Sequence, residues 1–139
     1  MITTLIFILV LSVLVFAHEL GHFWTARKLG VKAEEFGFGF PPRAFGFYRD
    51  IKGKWRHFGG NRALEDLPVE QAPADTVYSL NWLPIGGFVR IKGENGEGKQ
   101  DHDSFAAKSL WRRALILSAG VIMNIILAAM LLSLGYMIG

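Results

Sequence analysis

Apolar residues fall along this chain in two long blocks that flank a polar one. From Ile2 to Ala17 no charged residue occurs, and after a short polar interruption the apolar run resumes as Phe23-Trp24-Thr25-Ala26 before Arg27. From Ala114 to Gly139 another 26 residues pass without a charge. The hydrocarbon core of a bilayer takes about 20 residues of helix. Residues 3–28 and 109–139 are therefore predicted to be membrane-spanning helices, and residues 29–108 a polar loop between them. The predicted fold class is membrane α-helical: two antiparallel transmembrane helices with a cytoplasmic, membrane-associated loop that contains a β-hairpin.

Within the loop the period changes to two. Phe36, Phe38 and Phe40 alternate with Gly37 and Gly39, which puts three rings on one strand face and bare backbone on the other. Glycine inside a strand marks close approach by another backbone. Such a strand is expected to dip into the membrane interface and offer an edge to an extended peptide; the plainer alternative is a hairpin strand that packs its rings on the helices. Phe45 to Phe58 is expected to form a hairpin turning at Lys52-Gly53-Lys54. Residues 59–75 read as a surface loop, 76–83 as a strand broken at Pro84-Ile85-Gly86-Gly87, and 88–93 as a second extended stretch. The polar run 94–103 is expected to be mobile. Arg27 and Lys28 suit the negative end of the first helix, with Gly30 as its C-cap, and Ser109 is placed to cap the second.

Charge sets an orientation. All 15 Lys and Arg lie between Arg27 and Arg113, with eleven of the 12 acids, so the middle block carries +4. The positive-inside rule puts the loop 27–113 in the cytoplasm and the N-terminus outside. That charge suits the anionic leaflet of a lipid bilayer. No basic run with interleaved aromatics marks a nucleic-acid site. The start Met1-Ile2-Thr3-Thr4 lacks a basic n-region, and no small-x-small cleavage site follows before His18, so a signal peptide is not expected. There is no cysteine, which excludes disulfides and thiolate metal sites.

The twelfth acid, Glu19, lies in the interruption of the first apolar block, Phe16-Ala17-His18-Glu19-Leu20-Gly21-His22-Phe23. This is H-E-x-x-H. Two His four apart project from one helix face and reach one ion, for which Zn²⁺ suits neutral imidazole. Glu19 then serves as general base toward a water. Ionisable groups at membrane depth are expensive, so they are paired, liganded or functional; the alternative here is a polar patch satisfied by neighbouring helices. In the second span Asn124 is the only strongly polar side chain deep in the apolar run, and Gly120 permits close helix approach. Counted at about 1.5 Å per residue, Gly120 and Asn124 bracket the depth of His22 and His18. Asn124 is open to two roles, one at the site and one as an interhelical hydrogen bond. His57 and His102 stand alone in polar stretches and read as solvent-facing.

Taken together, the chain resembles the N-terminal portion of the site-2 protease family of intramembrane zinc metalloproteases, in its RseP-like bacterial branch. The stretches that carry the likeness are His18-Glu19-Leu20-Gly21-His22-Phe23-Trp24 with Ala26-Arg27, Phe38-Gly39-Phe40, Leu83-Pro84-Ile85-Gly86-Gly87-Phe88-Val89, Phe105 with Lys108-Ser109, and Ala119-Gly120 with Asn124. The resemblance implies that His18 and His22 ligate Zn²⁺ and that Glu19 activates water. It implies that Phe36-Gly37-Phe38-Gly39-Phe40 belongs to a membrane-reentrant hairpin that handles substrate with Asn124. The implied reaction is hydrolysis of peptide bonds in transmembrane protein substrates, such as anti-sigma factors or signal-peptide remnants, in the bacterial inner membrane. Two departures stand out. Val121 occupies a position where the family often has Pro. The family's third ligand is an Asp on a later helix, which, like the PDZ region, is not in this chain. The competing function is a non-catalytic two-span membrane module that binds a partner without a complete metal site.

Overall fold

The computed structural model describes residues 1–64 and 66–139. Helix α1 runs Ile2–Lys28, followed by strands β1 (Ala33–Arg49), β2 (Trp55–Gly59) and β3 (Val77–Ile91), and helix α2 closes the chain at Leu110–Ile138. Both helices are long and apolar enough to cross a membrane by length and composition. They lie antiparallel: His22 meets Ile116, whereas His18, one turn earlier, meets Asn124, two turns later. Between them sits a three-stranded sheet of order β2-β1-β3.

Helix α1 ends in a Schellman motif. Gly30 takes φ +72°, the Gly30 N–H donates to the Arg27 carbonyl at 3.2 Å, and the Val31 N–H donates to the Ala26 carbonyl at 2.9 Å. Glycine reaches that φ without a Cβ penalty. At the other junction Ser109 stands at the N-cap of α2, but its side chain makes no cap bond. Ser104 does the capping there, accepting from the Ala106 N–H at the short turn Phe105–Ala107.

The sheet is more continuous than its sequence suggests. The expected hairpin is present, with Phe45 to Arg49 of β1 paired to Gly59 to Trp55 of β2. Pro84 to Gly87 does not end a strand; β3 passes through it and bends where Gly86 takes φ +67°. β1 also bends, after Gly39 at φ +77°. The first arm of β1 consequently has partners on both sides: Phe36 faces Val89 and Tyr78, and Phe38 faces Gly87 and Leu80. This corrects the reading of residues 36–40 as a free edge, because the ladder of Phe36 to Phe38 is occupied on both flanks. The alternation itself holds. Phe36 packs its ring 5.5 Å from Phe16 and 4.8 Å from Phe23 on α1, with Phe38 5.8 Å from Phe16. On the opposite face Gly37 lies under the Phe88 ring.

Two buried carboxylates tie the sheet together, Glu35 across the bend of β1 and Asp50 at the hairpin turn. Glu35 pairs with Arg43 at 2.7 Å and Arg90 at 3.3 Å, as a buried charge requires. Asp50, fully buried, accepts from the Lys52 and Lys54 N–H groups at 2.9 Å and from Arg56 at 2.7 Å. Burial pushes the Asp50 carboxyl up, but those backbone bonds and the Arg56 guanidinium outweigh it and hold the group below its ordinary value. The apolar core at the helix ends gathers Ala26, Val31, Ile91, Phe105 and Ile116. It clamps the start of α2 against the end of α1, which fixes the height at which the two helices face each other.

Candidate metal centre

The centre is built where the backbones of α1 and α2 touch. A Cβ on Gly21 would lie 2.5 Å from the Ala119 carbonyl oxygen, so the two backbones touch. A Cβ on Gly120 would lie 2.5 Å from His18 Nε2 and 2.6 Å from its ring carbons. The His18 imidazole thus occupies the space that a missing side chain on α2 leaves. Small residues allow this approach between membrane helices.

His18 and His22 converge. Their Nε2 atoms are 3.1 Å apart, with ring centroids 4.8 Å apart and planes at 75°. His22 Nδ1 lies 2.7 Å from the Ile116 carbonyl oxygen. A carbonyl only accepts, so His22 Nδ1 carries the proton and its Nε2 presents a lone pair. The spacing of the two imidazoles fits zinc. Two Zn–N bonds of about 2.0–2.1 Å at a tetrahedral angle put their nitrogens about 3.3 Å apart, close to the separation found. His18 and His22 are the residues that would hold the ion through Nε2. Among the described residues no third His, Cys, Asp or Glu joins them in a cluster.

Glu19 points to the sheet. Its Oε2 accepts from the Val89 N–H at 3.2 Å, on the arm of β3 whose other side pairs with β1. The general-base candidate therefore tethers α1 to β3 through one carboxylate oxygen. Asn124 reaches the site: its Nδ2 lies 3.5 Å from His18 Nδ1, and its Oδ1 is buried without a partner. The level of the two helices differs slightly from the depth count. His18 is flanked by Gly120 and Asn124, and His22 stands one turn further on, beside Ile116.

The Phe36 to Phe40 stretch is not at the two imidazoles. Phe36 packs on α1 between Phe16 and Phe23, and Phe38 lies toward the N-terminus of the helix, where it lines a mostly apolar cavity of about 320 Å³ with Phe16, Ser12 and Pro84. His57 and His102 are exposed. Sequence reasoning missed the Ile116 carbonyl and the Val89 N–H, because backbone groups carry no residue signal. The clue for Ile116 is the need of a ligating His for an acceptor at its second nitrogen.

The comparisons with known proteins agree with this geometry. The family model for peptidase family M50 matches residues 6–58 and 67–139. The chain is 34% identical over 136 residues to the Regulator of sigma-E protease RseP of Escherichia coli K12, covering 96% of this chain and 25% of that protein. It is 33% identical over 136 residues to Protease RseP of Yersinia pestis, with 96% and 25% covered. A Vibrio cholerae protein assigned by name as a zinc metalloprotease is 35% identical over 136 residues, again with 96% and 25% covered. The chain thus spans about a quarter of the length of these relatives. With the family model matching nearly its whole length, this chain belongs to peptidase family M50, the site-2 proteases.

Proposed function

We propose that this chain supplies two ligands and the general base of an intramembrane zinc metalloprotease that hydrolyses peptide bonds in transmembrane segments of membrane proteins. The observation that carries the reading is the convergence of His18 Nε2 and His22 Nε2 at 3.1 Å, with the His22 tautomer locked by the Ile116 carbonyl. A third ligand would come from outside these residues. Zinc, when bound, acidifies a water and polarises the scissile carbonyl. Everything else falls to the protein. Glu19 takes the proton of the attacking water and passes it to the leaving nitrogen. His18 and His22 hold their nitrogens fixed against α2. The apolar helix faces limit water to what the site admits.

A helical substrate hides its amides in internal hydrogen bonds, so the segment to be cut has to be extended. Among the described residues the arm of β3 that carries Val89 has strand partners on one side only, and its other side faces Glu19. We place backbone pairing with substrate there, with Phe38 and Phe40 lining the approach through side chains. The exposed rings of Phe45, Phe47, Trp55 and Trp82 suit a sheet seated at the membrane interface. The loop 27–113 would lie on the cytoplasmic side of a bacterial inner membrane, where its net charge is favoured. The Escherichia coli relative is named for regulating sigma-E; by that likeness membrane-anchored anti-sigma factors are the first substrate class to try.

One observation favours a second reading. The Val89 contact gives Glu19 a structural use, as the non-catalytic two-span module would require. Glu19→Gln separates the two, because the amide oxygen still accepts from Val89 while the base is lost. In the complete gene product the variant should keep its zinc and bind a membrane-anchored reporter, yet cleave it about 10²–10⁴-fold more slowly. Undiminished cleavage with zinc bound would make Glu19 a strut, and the binding module the better account.

A further inference from the structure

The two imidazoles of the centre are not held alike. His22 donates its Nδ1 proton to the Ile116 carbonyl at 2.7 Å, which leaves Nε2 free to ligate. His18 has no carbonyl at its Nδ1. What stands there is the Asn124 amide, with Nδ2 at 3.5 Å. The other end of that amide, Oδ1, is buried and accepts from nothing. A buried acceptor without a donor is costly, and natural proteins keep few of them.

One set of protons satisfies the ring nitrogens as they stand. Asn124 Nδ2–H donates to His18 Nδ1, His18 Nε2–H donates to His22 Nε2, and His22 Nδ1–H donates to Ile116. In that set the His18 proton sits on Nε2, the atom that faces His22, and His18 cannot ligate. Ligation through Nε2 needs the other tautomer, with the proton on Nδ1 and an acceptor beside it. A half-turn of the Asn124 amide about its Cβ–Cγ bond exchanges its two ends and brings Oδ1 to the place that Nδ2 holds. The orphaned oxygen is then the acceptor that the ligating tautomer lacks.

We propose that Asn124 is the positioning residue of His18: its Oδ1 accepts the Nδ1 proton that His18 must carry to present Nε2 to the metal, as the Ile116 carbonyl does for His22. Both acceptors thus come from α2, eight residues apart. Asn is suited to this place because its amide serves either tautomer of His18 by turning over. This rests on His18 and His22 being ligands, and it assigns Asn124 to the metal centre rather than to contact with substrate.

The test uses the complete gene product in detergent, with zinc affinity read by chelator competition and the His18 tautomer read from imidazole ¹⁵N shifts. Asn124→Ala removes the acceptor and should weaken zinc binding about 10–100-fold, with the His18 proton moving away from Nδ1. Asn124→Asp keeps an acceptor of the same reach and should hold zinc at least as tightly as the wild type. Loss of helix packing alone would weaken both variants, so rescue by Asp separates positioning from structure. Wild-type affinity in Asn124→Ala, or equal weakening in Asn124→Asp, overturns the inference while leaving the two ligands in place. His22→Ala distinguishes the deeper failure. If zinc binding survives that change, the proposed ligand pair is wrong and this role of Asn124 falls with it.

Discussion

Replacing Gly120 by Ala adds one methyl group at the point where α2 meets the His18 ring. An alanine Cβ would stand 2.5 Å from His18 Nε2 and 2.6 Å from Cδ2 and Cε1, whereas ordinary contact begins near 3.4 Å. About 1 Å of overlap has to be relieved. The ring has little room on its other flanks, with His22 Nε2 at 3.1 Å and Asn124 Nδ2 at 3.5 Å. The helices cannot slide closer elsewhere, since Gly21 already rests on the Ala119 backbone. Overpacking of this kind costs about 1–3 kcal/mol, and the helix propensity of Ala over Gly returns about 1 kcal/mol. The net loss of about 0–2 kcal/mol leaves the helix pair folded. Its effect is felt in position, because zinc distances tolerate only about ±0.2 Å. An outer hydrogen-bond partner is worth about 10–100-fold in affinity, so displacing a ligand itself should weaken zinc by more than about 100-fold. Chelator competition on the wild type and on Gly120→Ala measures this. Gly135→Ala is the control, on the same helix with nothing within 4 Å of the added methyl, and should match the wild type. Gly120→Ala with unchanged zinc affinity would show that the His18 ring does not occupy this notch.

Two further outcomes follow from the loop and its charge. The Asp50 carboxyl is held below its ordinary value in the folded chain; it therefore contributes stability that is fully present above the unfolded value, about 3.9, and is lost as pH falls through the lower folded value. Amide exchange of β2, corrected for its intrinsic pH dependence, should quicken below about pH 4; Asp50→Asn should exchange quickly at neutral pH too and lose that acid transition, and an unchanged transition in the variant would clear Asp50 of the role. Because the chain has no cysteine, single cysteines report topology directly: an impermeant thiol reagent applied to intact cells should label Gly139→Cys and spare Arg62→Cys, and labelling at 62 would reverse the proposed orientation.

The parts of the centre that were legible in the sequence are those fixed by one helix. Four residues of α-helix carry His22 above His18 on a common face, so H-E-x-x-H by itself dictates the convergence of the Nε2 atoms. The apolar blocks likewise delimit α1 and α2 because length and hydropathy are local properties. The pairing of β1 was not legible for the opposite reason. Phe36 to Phe40 has strand period, but whether its edges are free depends on residues 77–80 and 87–91, forty and more positions away. The bends that bring those arms alongside lie at Gly39 and Gly86, where the sequence shows only glycines of the kind that also end strands.

The deepest limit concerns protons rather than elements. H-E-x-x-H specifies two imidazoles and leaves each with two tautomers, of which only one can ligate through Nε2. In the proposed centre the choice is made across the helix interface, by the Ile116 carbonyl for His22 and by the Asn124 amide beside His18. Ile116 reads in the sequence as one more apolar residue of a long run, and its side chain does contribute to the core that clamps the helix ends. That burial is what gives its carbonyl a fixed height against His22. A packing residue and an acceptor at the candidate centre are here the same residue, acting through different atoms. The H-E-x-x-H motif on α1 is therefore incomplete as proposed chemistry until α2 is docked at the right level, the level at which Gly21 touches the Ala119 backbone.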